Sequence, residues 1–563
     1  MNIPVITEYI KLRKRRKISA MMRGYRLLRA HNKLPRIMET QIALVEMPLG
    51  ISQNKISKFL FGASTEKANE AIRDFLITRV GQYSLNKSLL ESLGENKGQA
   101  IHPLPKIWRE KIQSLGWDVS KIRSAVIWQG FLFLCFSYGG FLLAKSLLRG
   151  FWASILPNPI SPGKHVHFSG LTKNNLPQRN VGDSYDIISW YLQWQGRQEG
   201  IQTIGHNIKD VQECKIEGVN IRFSDPLGPI RGIGSNGRLL AWGFGAACIC
   251  LVDWLRGCWW SPLMFAPCLQ SFIARQQPNY ALDYLFHNSG PRKPLWLNEV
   301  EAMGGKTTFY FYSTNSDSFM TEGGYQPTPA YYRNMQWNRY LVWDQEQAEF
   351  VRRCVGNKAK IEIVGPIWNS ESTAILPNLT SRTVAVFDIR PRRKSIYVVL
   401  GDSLEYYTPA NAIKFLNDIH EVAAQHNWTM AWKEKRGLPQ KIAKHISKSY
   451  KSASRSLASC QNTLIIDPDL AAARLIEKST LVISMPFTST ALIAKNLGVP
   501  SYYYDPSGII QKGDRAAHGI PIISGVNELR SIFTIESTKN KYDQTDLYAK
   551  EIESVLVNAN DFV

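Results

Sequence analysis

The chain has no cysteines spaced as CxxC, no histidines at zinc-finger spacing around its cysteines, and no repeat or low-complexity tract. Each absence removes a class of protein. The eight cysteines, at positions 135, 214, 248, 250, 258, 268, 354 and 460, read as small hydrophobes in a reducing compartment rather than as a disulfide framework or a structural metal site. The opening MNIPVITEYIKLRKRRK has no apolar core after its charges, so it is not expected to be a secretory signal. Tryptophan is abundant, as at Trp254, Trp259, Trp260 and Trp296, but no ladder alternates aromatic with basic residues. A nucleic-acid partner is therefore not expected. No DxD-like acidic pair stands near a strand end, and neither a bound metal nor a cofactor is expected.

What is present points elsewhere. At 563 residues the chain calls for two or three domains, and 44% hydrophobic against 20% charged residues marks a folding protein. The formal net charge of +22 suits phosphate-rich ligands or anionic lipid. Between Met1 and Met38 there are eleven Lys or Arg against the single acid Glu8, either a solvated basic arm or a patch that leans on anionic headgroups.

The pattern divides the chain into a mainly helical, basic region (1–123) and a hydrophobic segment (124–150). An α/β domain (151–375), a second α/β domain (376–540) and a C-terminal helix (541–563) follow. The run from Ser124 to Arg149 is long enough to touch or cross a bilayer. A second run, 239–255, is interrupted by Asp253 and is expected to be a buried helix. Gly232-Ile-Gly234-Ser-Asn-Gly237 has dinucleotide-motif spacing, but no strand precedes it. It is read as a loop leading into the second apolar helix.

Strands separated by helices of ten to fifteen residues give a parallel sheet covered on both faces. In the C-terminal half they are expected at Ser395–Gly401, Thr429–Lys433, Asn462–Asp467, Leu481–Met485 and Val499–Asp505. Ligands of such sheets bind beyond the carboxyl ends of the strands. That rule selects Gly401, Asp402 and Ser403, then Lys433, Lys435 and Arg436, then Asp467, then Pro486, Thr488, Ser489 and Thr490 as donor-binding candidates. The last group joins a buried strand directly to a helix, whose N-terminus favours a phosphate.

The segment Leu481-VISMPFTSTALIAKNLGVPSYYYDPSG-Ile509 resembles the signature of the bacterial polysaccharide biosynthesis family named for its PFTS motif. Gly290–Thr314 and Tyr340–Arg353 resemble it too, so the likeness covers roughly residues 280–530. It implies a fold of two Rossmann-like domains facing a cleft, as in GT-B glycosyltransferases, with the donor nucleotide held by the C-terminal domain. The implied activity is metal-independent transfer of a sugar from a nucleotide-activated donor, with a CMP-activated acidic sugar among the options. The acceptor would be a surface polysaccharide or lipid-linked chain, such as capsule or O-antigen, at the cytoplasmic face of the bacterial inner membrane. Catalytic-base candidates are His287, Glu299 and Glu301, of which at most one serves, since residues two apart on a helix face different ways. Asp317 is a further candidate. The alternatives are a polyol-phosphate transferase of wall-polymer synthesis and a non-catalytic assembly protein with the same fold.

Overall fold

The computed structural model describes residues 3–49, 59–61, 67–95, 98–156, 164–177, 186–197, 199–277, 280–288, 292–314, 316–321, 324–325, 327–329, 331–367, 375–392, 394–399, 406–434, 446–468 and 470–538. They fall into two compact units. The first comprises Met1–Tyr312, Pro327–Ile367 and Lys394–Glu405, and the second Ser313–Gln326, Trp368–Arg393 and Tyr406–Val563. The chain thus passes between the units several times.

The first unit opens with the helices Ile3–Ala30, Arg36–Glu46, Ala68–Phe75, Tyr83–Gly94 and Lys106–Ser114, the mainly helical N-terminal region that the composition implies. Leu44, Leu60, Ile72, Leu76, Leu89 and Trp108 share its core. A buried polar chain crosses that core: the Gln41 amide donates to Asn86 Oδ1 at 2.8 Å, and Asn86 Nδ2 donates to the Val399 carbonyl at 2.9 Å. Val399 belongs to the helix Lys394–Val399. The strand expected at Ser395–Gly401 is therefore corrected. Ile396, Val398 and Val399 pack as one side of a short helix among the N-terminal helices, and an apolar run of six residues does not distinguish the two outcomes.

The sheet of the first unit is built from β1 (His165–Ser169), β2 (Thr203–His206), β3 (Cys214–Ile216), β4 (Val219–Phe223), β5 (Asp283–Asn288) and β6 (Lys306–Phe311). β7 (Met320–Thr321) and β8 (Gly324–Tyr325) form a separate hairpin in the part of the chain that belongs to the second unit, and β9 (Arg339–Val342) and β10 (Lys360–Ile363) complete the large sheet. Its order is β10-β9-β6-β5-β1-β2-β4-β3, parallel except for β3. From β1 the chain winds outward through β2 and β4, then returns to β5 and winds the other way, so its direction reverses between β1 and β5. A buried network locks the far ends of these strands. Asp283 accepts from Arg339 at 2.9 Å, Thr308 at 3.1 Å and Tyr191 at 3.2 Å.

The second unit carries β11 (Thr383–Phe387), β12 (Thr429–Lys433), β13 (Thr463–Ile466), β14 (Leu481–Ser484), β15 (Ser501–Asp505) and β16 (Ile522–Ser524). They are all parallel, in the order β13-β12-β11-β14-β15-β16. This is the 3-2-1-4-5-6 order of doubly wound nucleotide-binding sheets, with its switch point between β11 and β14. β11 and β14 are buried at every position, as central parallel strands must be when helices cover both faces. Thr408 caps the helix Pro409–Gln425 by accepting from Asn411 N at 3.2 Å, with Pro409 at its first position.

Two apolar helices belong to the first unit, Lys121–Ile155 and Ile233–Leu255. The second is not the buried helix its sequence implies: Ile233, Phe244 and Leu255 are 90%, 70% and 88% exposed. Nor is the glycine motif before it a loop. Gly232, at φ +88°, stands at the helix start, and the remaining glycines lie in the first turns. Residues 541–563 lie outside the described residues.

Candidate nucleotide edge and acceptor-side histidine

The register of the second sheet brings its candidate residues to one edge. Phe387 of β11 pairs with Lys433 of β12 and with Ser484 of β14, and Lys433 pairs with Ile466 of β13. Four strands end level, so the segments after Phe387, Lys433, Ile466 and Ser484 all begin on the same edge.

After β14 the chain turns through Met485, Pro486 and Phe487 into the helix Ser489–Asn496. Phe487 has φ +63°, a left-handed backbone that a bulky side chain seldom adopts. Neighbours hold it there: its ring stacks on Phe319 with centroids 4.9 Å apart and meets Tyr503 at 5.8 Å. The Tyr407 hydroxyl donates to the Pro486 carbonyl at 3.0 Å and the Tyr503 hydroxyl to the Thr488 carbonyl at 2.9 Å. Thr488 occupies the N-cap position, yet its side chain does not cap the helix; it donates backward to the Met485 carbonyl at 2.8 Å. Ser484 and Thr490 share a hydroxyl contact at 2.9 Å, and Ser489 Oγ accepts from Thr314 N at 3.5 Å. The positive end of the helix dipole thus meets a half-exposed, hydroxyl-rich turn with no carboxylate cap among the described residues.

Of the other donor-side candidates, Lys433 is buried and its ammonium donates to the Pro468 carbonyl at 2.8 Å. It is directed toward β13, on the side of β11 away from β14. Asp467 is exposed. Gly401, Asp402, Ser403, Lys435 and Arg436 lie outside the described residues.

The segment that follows the true first strand, Asp388 to Arg392, is not among the sequence-based candidates, because β11 itself is not among the expected strands. The signal available for it is the short apolar run Thr383–Phe387, which ends in Asp-Ile-Arg-Pro-Arg-Arg. Arg390 pairs with Glu434 at 2.5 Å. Asp388 is 6% exposed, and the Tyr450 hydroxyl donates to it. Burial, outweighing the Tyr450 hydrogen bond, lifts its carboxyl to about 6. A carboxyl with a raised folded-state pKa binds more protons folded than unfolded, so its contribution favours folding below about pH 4 and turns against it as pH rises to about 6. A shift of about two units amounts to roughly 3 kcal/mol at most. Asp388→Asn is accordingly expected to melt above the parent at about pH 7.5, with the gap closing toward about pH 4; a gap independent of pH would contradict this.

In the first unit the switch point lies between β1 and β5, and His287 stands near the carboxyl end of β5. It is 5% exposed, its Nε2 has no hydrogen-bond partner among the described residues, and its ring stacks on Tyr310 at 5.6 Å. Burial lowers its pKa to about 4, so the ring is neutral at physiological pH. The two glutamates are occupied. Glu299 is buried against Arg275 at 3.1 Å, and Glu301 pairs with Lys293 at 2.6 Å and accepts from Thr307. They face opposite neighbours, as their spacing requires. Asp317 pairs with Arg515 at 3.0 Å. A cavity of about 370 Å³ opens at the carboxyl end of β2, lined by His206, Gln212, Glu213 and Cys214 among others.

Two doubly wound sheets, each with a switch point at its carboxyl edge, define an α/β protein of the GT-B-like class. Residues 251–533 match the family of polysaccharide biosynthesis PFTS motif proteins, and the chain belongs to that family. No curated protein matches the sequence. Among solved structures it is similar to a point mutant of S. aureus TarM in complex with fondaparinux, alpha-GlcNAc-glycerol and UDP, at 12% identity and a TM-score of 0.29, over 48% of this chain and 51% of that one. It thus spans about half the length of TarM. It is also similar to the UDP-GlcNAc 2-epimerase of Methanocaldococcus jannaschii, at 9% identity, TM-score 0.31, over 66% and 91% of the two chains. A third is the α,α-trehalose-phosphate synthase (UDP-forming) of Burkholderia xenovorans, at 8% identity, TM-score 0.33, over 66% and 91%. Strand order, rather than these distant likenesses, carries the fold class.

Proposed function

We propose that the protein is a glycosyltransferase that moves a sugar from a nucleotide-activated donor to a growing surface polysaccharide or a lipid-linked acceptor. The observation that carries this is the Met485–Thr490 turn: a strained, hydroxyl-rich bend at the sheet's switch point, opening a helix whose first turn carries no carboxylate. Such a bend suits the anionic tail of an activated sugar. Membership of a polysaccharide biosynthesis family supports the choice of a sugar over other nucleotide-linked groups.

The helix dipole stabilises the leaving phosphate electrostatically, and the reaction proceeds without a metal. His287, neutral and with an Nε2 unpartnered among the described residues, takes the proton of the acceptor hydroxyl. A CMP-activated acidic sugar is one donor this arrangement would accept. The reading places the protein at the cytoplasmic face of the bacterial inner membrane, where such acceptors are extended.

The test is product analysis. The full chain is incubated with membranes bearing polysaccharide acceptor, in chelator, with nucleotide-sugars (CMP-activated acidic sugars included) and nucleotide-polyols as separate donors. Mass increments of a sugar residue are expected. Increments of a polyol phosphate would establish the alternative transferase, and no transfer from any donor would leave the fold as an assembly protein.

A further inference from the structure

We infer that the helices Lys121–Ile155 and Ile233–Leu255 form a single membrane-docking face that lies in the plane of one leaflet of an anionic bilayer, rather than two spans. The helices touch closely. A Cβ on Gly243 would stand 2.4 Å from a Leu143 methyl, and one on Gly139 would meet the ring of Phe265, on the helix Ser261–Arg275, at 2.4 Å. Both pack on Ser261–Arg275, which is buried along most of its length. They therefore form an outer layer over a covered helix.

Their outward faces are mostly apolar. On the first, Ile122, Phe141 and Ile155 are 79%, 62% and 63% exposed. On the second, the exposed residues include Leu240, Phe244 and Leu251. Among the described residues no neighbouring element of the first unit covers these side chains, and water is a poor solvent for so large an apolar area.

Length decides how the first helix meets lipid. From Ile122 to Ile155 the exposed stripe is about 50 Å long at roughly 1.5 Å per residue, whereas the hydrocarbon core is about 30 Å thick. Fitting the whole stripe upright would need a tilt of about 50°, beyond the range of roughly 0–40° seen for spans. The inner face is also tied to the protein at both ends. Ser124 Oγ accepts from His102 N at 3.2 Å near the start. Near the end, Arg231 donates to the carbonyls of Ala153 at 2.6 Å and Leu156 at 2.7 Å, and Arg149 pairs with Asp225 at 2.6 Å. A span anchored in this way would drag folded, polar chain into hydrocarbon. Lying flat, the helix immerses one face to the depth of the headgroup boundary and keeps the other in the protein core.

Charge selects lipid over a second copy. Lys121, Arg123, Lys145, Arg238 and Arg256 are exposed on the same two helices or directly after them. Facing copies would bring these cations together, while anionic headgroups complement them. Half-buried Trp254 and Trp259 lie at and just beyond the end of the second helix, and Trp254 donates to Gln129 of the first at 2.7 Å, a placement typical of interfacial rings.

The experiment is flotation of the full chain with vesicles, which reads membrane binding without reference to sugar transfer, so either reading can fail alone. Vesicles containing phosphatidylglycerol are expected to bind at least about tenfold more protein than phosphatidylcholine alone. The double variant Phe141→Glu, Phe244→Glu should lose that binding while keeping the parent's melting temperature, because both side chains are exposed. Nitroxides at Ile122→Cys, Tyr138→Cys and Ile155→Cys, in a chain whose own exposed cysteines are replaced, should report three similar shallow depths. A mid-bilayer depth at 138 between two headgroup-level ends would show a span and overturn the inference. So would self-association of the parent chain without vesicle binding, which would make the face a contact between copies.

Discussion

His287→Gln is expected to lower the rate of sugar transfer by about a hundredfold to ten-thousandfold, the range that a positioned general base contributes, with nucleotide binding unchanged. Glutamine keeps a polar side chain of similar reach but accepts no proton at neutral pH. The parent imidazole is neutral because burial holds its pKa near 4; its free form is thus a weak base, and the role requires that a polar acceptor entering beside it raise that value toward the working pH. A neutral Nε2 that is buried and without a partner among the described residues is costly to keep unless something pairs with it during function. The same substitution at Glu299 probes structure instead. Removing that carboxylate takes the Glu299 partner from partly buried Arg275, so Glu299→Gln should lower the melting temperature together with activity. Full transfer activity in His287→Gln would reduce the histidine to a packing residue.

Ser489→Asp separates stability from binding more sharply, because the two effects have opposite signs. Ser489 is the first residue of its helix, and the first turn contains no acid. A carboxylate there meets the positive end of the dipole and should stabilise the fold by about 0.3–1 kcal/mol. Against a bound phosphate the same charge is repulsive by about 3–4 kcal/mol at an effective dielectric near 20. Affinity for the nucleotide should therefore fall by two to three orders of magnitude while the melting temperature of the unliganded protein stays level or rises. Ser489→Ala removes only a hydroxyl and should cost less than about tenfold. Equal loss in both variants would make the hydroxyl, rather than the electrostatics of the helix end, the source of affinity.

How much of this is legible in the sequence depends on what each segment packs against. Leu481–Ser484, Thr429–Lys433 and Thr463–Ile466 are parallel strands of one sheet, and their apolar runs between helix signals are readable without structure. Thr383–Phe387 and Lys394–Val399 are not, because two apolar runs of five or six residues lie close together and only one is a strand. What makes the second a helix is a core more than three hundred residues away in the chain, reached through Asn86. The apolar run beginning near Leu239 is ambiguous for another reason: residues hydrophobic on every face suit a buried helix and a lipid-facing one equally. At the candidate site, the hydroxyl turn and the edge it occupies follow from strand–helix alternation alone. The direction of the Lys433 ammonium does not, because it is fixed by the Pro468 carbonyl beyond the next strand, and no local pattern reports a bond between two loops.

The central claim, that the carboxyl edge of the second sheet grips a nucleotide's phosphates, is tested most directly by thermal shift against a panel of nucleotides. A cognate nucleotide at about 100 times its dissociation constant should stabilise the parent by about 2.7 kcal/mol, and Ser489→Asp by no more than about 0.4 kcal/mol at the same concentration. The base that produces the shift names the donor class. Equal shifts in parent and variant would place the phosphates away from the Met485–Thr490 turn and contradict the account, as would a parent that no nucleotide stabilises.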